Sequence, residues 1–180
     1  SVLVDGTTVY AGLSNTTEAY LWKCTSCDSS PNWGGTRIGG KFVNKSWGAY
    51  NLQSVESTAS VNGKLYVGTG NTVAGNATVW EYDPSTGYWT IIGGQGINSG
   101  WGVDTYESVL SMVNYKNKLY VGIGTGTTEA EVWSWDGSAW AKVGGDGVGS
   151  SWNTSYETVN SLAVAGNKLY AGIGNSAGDG

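Results

Sequence analysis

Apolar residues in this chain come in short runs separated by clusters of Gly, Asn, Asp and Ser. The runs are rich in Val, Tyr, Trp and Thr, and no stretch carries an apolar stripe at the 3.6-residue helical period. That pattern predicts strands, not helices. In the best-defined stretch the strands are expected at Val109 to Tyr115, Lys118 to Gly124, Glu131 to Trp135 and Ala139 to Val143. One unit earlier the last two have counterparts at Thr78 to Tyr82 and Tyr88 to Ile92. The turns between them are equally plain. Asn62-Gly63 and Lys116-Asn117 suit a two-residue hairpin, whose central positions need positive φ. Asp83-Pro84-Ser85-Thr86-Gly87 and Asp136-Gly137-Ser138 suit tight turns with preset backbone angles.

The strands repeat. Tyr10, Tyr66, Tyr120 and Tyr170 sit in similar segments at intervals of 56, 54 and 50 residues. Three tryptophan sets keep the same phase: Trp22, Trp80 and Trp133; Trp33, Trp89 and Trp140; Trp47, Trp101 and Trp152. The pairs Gly39-Gly40, Gly93-Gly94 and Gly144-Gly145 follow the second set, six residues on in the first unit and four in the next two. Four short strands per unit of about 50 residues is the pattern of a β-propeller blade. The expected fold is therefore all-β, with four-stranded antiparallel blades of propeller type. About three and a half repeats make a single repeat domain over residues 1–180. Blade 1 is expected at about 2–56, blade 2 at 57–110, blade 3 at 111–157 and a partial blade 4 at 158–180. The small residues of the first strand, Ser57-Thr58-Ala59-Ser60 and Ser161-Leu162-Ala163, suit a crowded wall near the propeller axis.

The stretch Asn62-Gly63-Lys64-Leu65-Tyr66-Val67-Gly68, with Val79-Trp80-Glu81-Tyr82-Asp83-Pro84-Ser85-Thr86-Gly87-Tyr88-Trp89, resembles a kelch repeat. The likeness lies in the small-residue turn, the Leu-Tyr strand, the Tyr-Asp-Pro turn and the closing Trp. It covers every unit and is closest in the second. One feature departs from the kelch pattern, where a glycine pair directly follows the second strand. Here the pairs follow the fourth strand. The resemblance implies a propeller with a binding or scaffold role and leaves the ligand open.

Three and a half blades do not close a ring, since closed propellers use roughly four to eight. Open strand edges invite pairing with another chain. Two explanations stand side by side: the chain is part of a longer propeller, or copies assemble and complete each other's blades into a ring or filament.

Composition narrows the chemistry. There are 10 Trp and 11 Tyr but one Phe and one Met, so the aromatic content favours rings with a polar tip. Histidine is absent, which removes the commonest general base and metal ligand. The net charge of −5 argues against a nucleic-acid backbone as partner. No apolar run is long enough to span a bilayer, so membrane insertion is not expected. No nucleophile elbow, phosphate loop or dinucleotide fingerprint is present. Arg37 is the sole arginine, which sets aside the sialidase chemistry that the Asp83-to-Trp89 turn would suggest. No enzyme activity, cofactor or metal is expected.

The loop entering each new unit repeats an aromatic and acidic constellation: Trp47 and Tyr50; Trp101, Tyr106 and Glu107; Trp152, Tyr156 and Glu157. These eight are the candidate ligand-binding residues. Aromatic faces stack on the C–H face of sugars, a nearby carboxylate accepts hydroxyl protons, and repetition supplies avidity. The alternative is that each tryptophan packs between blades and each glutamate bonds loop amides. Two functional expectations follow. One is a lectin-like carbohydrate-binding module engaging a glycan or other surface ligand. The other is a structural, self-associating repeat protein. Cys24 and Cys27 are candidates for a disulfide stapling one turn, which would imply an extracellular or cell-surface setting, with free thiols as the alternative.

Overall fold

The computed structural model describes residues 1–15, 17–33, 37–47, 52–71, 75–102, 105–124, 130–153 and 155–175. It is all-β and antiparallel. The first meander is β1 (Val2–Asp5), β2 (Thr8–Leu13), β3 (Tyr20–Thr25) and β4 (Arg37–Gly39), paired in chain order. The second is β5 (Ser54–Val61), β6 (Lys64–Gly70), β7 (Thr78–Asp83) and β8 (Tyr88–Gly93). The third is β9 (Ser108–Tyr115), β10 (Lys118–Gly124), β11 (Glu131–Trp135) and β12 (Trp140–Gly144). The hairpin β13 (Thr158–Ala165) and β14 (Lys168–Gly174) follows. One ladder pair, Gly70 opposite Ser108, links the sheets of the second and third meanders.

The turns form for the expected reasons. Asn62 and Gly63 have φ of 52° and 76°, and Lys116 and Asn117 have 51° and 60°. Asp83 Oδ1 accepts hydrogen bonds from the Ser85 amide and hydroxyl, and Gly87 closes the turn at φ 73°. Asp136 Oδ1 accepts from the Ser138 amide and hydroxyl and from the Ala139 amide. β5 and β9 begin three residues ahead of the expected unit starts at 57 and 111. A bulge lies between Val55 and Ser57, and another skips Leu110, so each strand continues past an interruption in its pattern.

The core lies between successive units, not inside any one of them. One cluster joins Leu21, Ile38 and Trp47 of the first meander to Val55, Val67, Trp80 and Trp89 of the second. The next joins Val79, Ile92 and Trp101 to Val109, Val121 and Trp140. A smaller one joins Val132 and Trp152 to Val159 and Ile173. In each complete meander a glycine of the second strand leaves room for a serine of its own unit and a valine of the next. A Cβ on Gly68 would lie 2.4 Å from Ser57 Oγ and 2.7 Å from a Val109 side-chain carbon. A Cβ on Gly122 would meet Ser111 and Val159 in the same way.

Gly68→Ala is therefore expected to lower the unfolding free energy by about 1–3 kcal/mol through overpacking, read from urea denaturation. A neutral result would contradict the close approach. A second expectation concerns acid. The three donors around Asp136 lower its carboxyl to about 2, against about 3.9 when unfolded. The folded pKa is depressed, so its stabilisation is present above about pH 4 and fades as pH falls toward 2. Over that window Asp136→Ala should lose less stability than the native chain, measured as the shift in urea midpoint.

Candidate functional site

The loop after the last strand of each meander carries the tryptophan expected to stack on ligand. Trp47 and Trp101 are each 1% exposed. Trp47 Nε1 donates to the Ala19 carbonyl at 2.8 Å, Trp101 Nε1 to Ala77 at 3.2 Å and Trp152 Nε1 to Ala130 at 2.7 Å. Each bond pins the ring to its own meander. The ring then meets the next meander edge-on. Trp47 lies 6.0 Å from Trp80 and 5.3 Å from Trp89, and Trp101 lies 6.1 Å from Trp133 and 5.6 Å from Trp140. Edge-to-face geometry at this spacing is favourable for aromatic rings.

This corrects the ligand-stacking expectation for Trp47, Trp101 and Tyr106. All three are buried in cores between meanders, so no face is offered to a sugar. Trp152 and Tyr156 are half-buried against the smaller cluster. Glu107 lies in an open cleft of about 450 Å3 with Ser14, Asn15, Gln53, Glu56 and Asn71, and no aromatic ring lines it. Glu157 is half-buried, and its amide bonds the Gly174 carbonyl. Tyr50 lies outside the described residues. Cys24 and Cys27 are joined as a disulfide.

Three further sets of bonds cross between units, and the sequence alone did not mark them as functional. The fourth-strand tryptophan reaches back, with Trp89 Nε1 donating to Ile38 at 2.7 Å and Trp140 Nε1 to Ile92 at 2.8 Å. Its backbone amide bonds a loop carbonyl of the preceding unit, Trp89 to Asn44 and Trp140 to Asn98. A first-strand serine reaches forward. Ser1 Oγ donates to the Val55 carbonyl, Ser57 to Val109 and Ser111 to Val159, at 3.2, 2.7 and 3.0 Å. The signal was present as serines 54 residues or so apart, each opposite a glycine of the neighbouring strand.

Among the described residues, the two end faces leave uncovered the positions that interior meanders bury. On the first meander Ala11, Leu13, Trp22 and Trp33 line an apolar pocket of about 330 Å3. Their interior counterparts Val67, Thr69, Trp80 and Trp89 are all buried. Trp33 is 37% exposed, and Val2 and Val4 on the same face are 72% and 66% exposed. At the other end Tyr170 is 52% exposed where Tyr66 is buried. Ser161 is exposed at the position from which the earlier serines reach forward.

No family model and no curated protein matches this chain. Among solved structures it is similar to a europium-containing methanol dehydrogenase at 18% identity and a TM-score of 0.44. The match covers 79% of this chain, which spans 23% of that enzyme's length.

Trp101→Ala should cost about 3–5 kcal/mol in urea unfolding, as for a fully packed core ring. Trp152→Ala, whose ring is half open, should cost less than about 2 kcal/mol. Equal losses would contradict the placement of these two rings.

Proposed function

We propose that this chain is a non-catalytic structural module of propeller type, three four-stranded blades and half of a fourth, that works by associating edge to edge with further blades of its own kind. The observation that carries the reading is the first meander's bare face. It repeats, position for position, the face that the second and third meanders bury against a neighbour: Ala11, Leu13, Trp22 and Trp33 stand where Val67, Thr69, Trp80 and Trp89 are covered. An apolar face whose interior copies pack against a neighbouring meander fits an interface. The kelch-type pattern of small-residue turn, Leu-Tyr strand and closing Trp supports the blade reading. The Cys24–Cys27 disulfide supports an oxidising, extracellular or cell-surface setting.

The carbohydrate reading asked for exposed aromatic faces beside Glu107 and Glu157. Burial of Trp47, Trp101 and Tyr106 favours the structural reading over it.

Size-exclusion chromatography with light scattering tests the proposal. The expected particle is a multiple of the 18.8 kDa chain, with association weakened at least about tenfold by Trp33→Glu. A monodisperse 18.8 kDa species across a wide concentration range would overturn it.

A further inference from the structure

We propose that the turn at 40–47, which follows β4, is a docking tip for an anionic lipid surface. Phe42 enters the bilayer interface, and Lys41 and Lys45 meet the headgroups. The turn lies against the outer edge of β8, at the junction of the first and second meanders. It therefore owes nothing to what adjoins the chain at either end, and the inference does not rest on self-association.

The turn is built on a frame that all three complete meanders share. The Val43 amide bonds the Gly40 carbonyl and the Ser46 amide bonds the Val43 carbonyl, each at 2.9 Å. Ile97 and Gly100 make the same two bonds in the second unit, and Val148 and Ser151 make them in the third. Positive φ falls at matching places: 52° and 58° at Asn44 and Lys45, 51° and 60° at Asn98 and Ser99, 54° and 58° at Gly149 and Ser150. The tip position is positive as well, 63° at Phe42, 67° at Gly96 and 76° at Gly147. Two units place glycine at the tip, as that backbone favours. The first unit places the chain's sole phenylalanine there, a bulky residue that this region disfavours. Nothing in the packing asks for the ring. A Cβ on Gly96 or Gly147 would meet no atom within 4 Å, and Phe42 is 84% exposed.

Charge changes at the same turn. Lys41 and Lys45 flank the ring, where the second unit has Gln95 and Ser99 and the third has Asp146 and Ser150. A doubly positive turn stands out on a chain of net charge −5. Neither lysine is ion-paired among the described residues. Lys41 Nζ lies 5.6 Å from the centre of the Phe42 ring, and Lys45 Nζ lies 4.2 Å from that of Tyr88, itself 47% exposed. The patch is thus two ammonium groups, one phenyl ring and the flank of a tyrosine.

The tip is held from beneath. Ser46 Oγ accepts from the Gly40 amide at 2.9 Å, and Asn44 Nδ2 donates to the Ile38 carbonyl at 3.3 Å. The Asn44 carbonyl accepts from the Trp89 amide at 3.0 Å and ties the turn to β8. A braced tip presents its ring with little ordering left to do on contact.

Shape selects a bilayer over a protein partner. Phe42 stands at the tip of a turn, so the partner must supply the apolar volume around it. A stable protein interface covers about 800 Å2 on each side around a cluster of anchors. Among the described residues, Phe42 and Tyr88 are the large apolar groups exposed at this turn. A bilayer interface needs no matching surface. It accepts an aromatic ring at the headgroup boundary and draws lysines to its anionic groups. Attachment through one ring and two charges is weak and reversible.

Flotation of the full chain with excess vesicles tests the proposal. At low salt the chain is expected to bind vesicles of phosphatidylcholine with phosphatidylserine, and not phosphatidylcholine alone. Phe42→Gly installs the residue that the other two units carry. It should match or exceed the native urea midpoint and bind at least about tenfold more weakly. Lys41→Gln with Lys45→Ser, the residues of the second unit, should weaken binding roughly thirtyfold. Absence of binding to the anionic vesicles, or binding that both variants retain in full, would overturn the assignment. Capture of the chain by soluble polyglutamate, abolished by Phe42→Gly and without vesicle binding, would overturn it too and make the partner an acidic protein segment.

Discussion

The whole structure rests on one contact, repeated. A tryptophan leaves the end of one meander, is fixed to that meander by its indole N–H, and presents its ring edge to two tryptophans of the next. A four-stranded sheet of this size has little interior of its own. Its apolar side chains are hidden only when another sheet lies on them. Each large ring hides on the order of 200 Å2 of surface, so a trio of them at each junction supplies much of the burial. Because one member of each trio is bonded within its own sheet and another bonds back across the junction, the angle between sheets is set by hydrogen bonds as well as by volume.

Close approach on the inner side of the junction follows from different chemistry. There the sheets meet through a glycine, a valine and a serine, not through rings. Gly12, Gly68 and Gly122 let a valine of the next unit sit directly on the strand backbone, at Val55, Val109 and Val159. The serine beside each glycine bonds that valine's carbonyl. Large residues outside and small ones inside make each contact wedge-shaped. A stack of wedges curves, which is why a repeat of this kind is expected to bend toward a ring instead of extending as a rod. The Gly39, Gly93 and Gly144 positions serve the outer side: a Cβ there would strike Trp47, Trp140 and Trp152 respectively. That explains why the glycine pairs follow the fourth strand here. They are cut to receive indole rings.

Strand positions and turns were legible because both are local. Asn62-Gly63 and Asp83-Pro84-Ser85-Thr86-Gly87 encode their backbone angles in the residues themselves, and Lys118–Gly124 and Glu131–Trp135 have the bounds their patterns indicate. The bulges at Glu56 and Leu110 were not legible, since a bulge breaks alternation by one residue and looks like noise in a short strand. The roles of Trp47, Trp101 and Tyr106 were not legible either. An aromatic residue in a loop beside a glutamate has one composition whether it faces solvent or a neighbouring sheet. What separates the two is the length of loop left to fold back, and that depends on the twist between sheets. The periodic placement of Trp47, Trp101 and Trp152 was the available clue: a residue needed once per junction recurs once per unit.

Differences among the units carry information that their likeness hides. Tyr82 stacks on Trp89 and Trp135 on Trp140, so the third strand normally ends by covering the fourth-strand ring. The corresponding residue of the first meander is Cys24, bonded to Cys27. A disulfide closes the turn there instead of a ring pair. Among the described residues Trp33 has neither the ring partner nor the preceding sheet that hold Trp89 and Trp140. Ala11 and Ala171 likewise replace the valines of β6 and β10. These departures fall in the first meander and in β13–β14, whose Trp33 and Tyr170 are exposed where Trp89 and Tyr66 are buried.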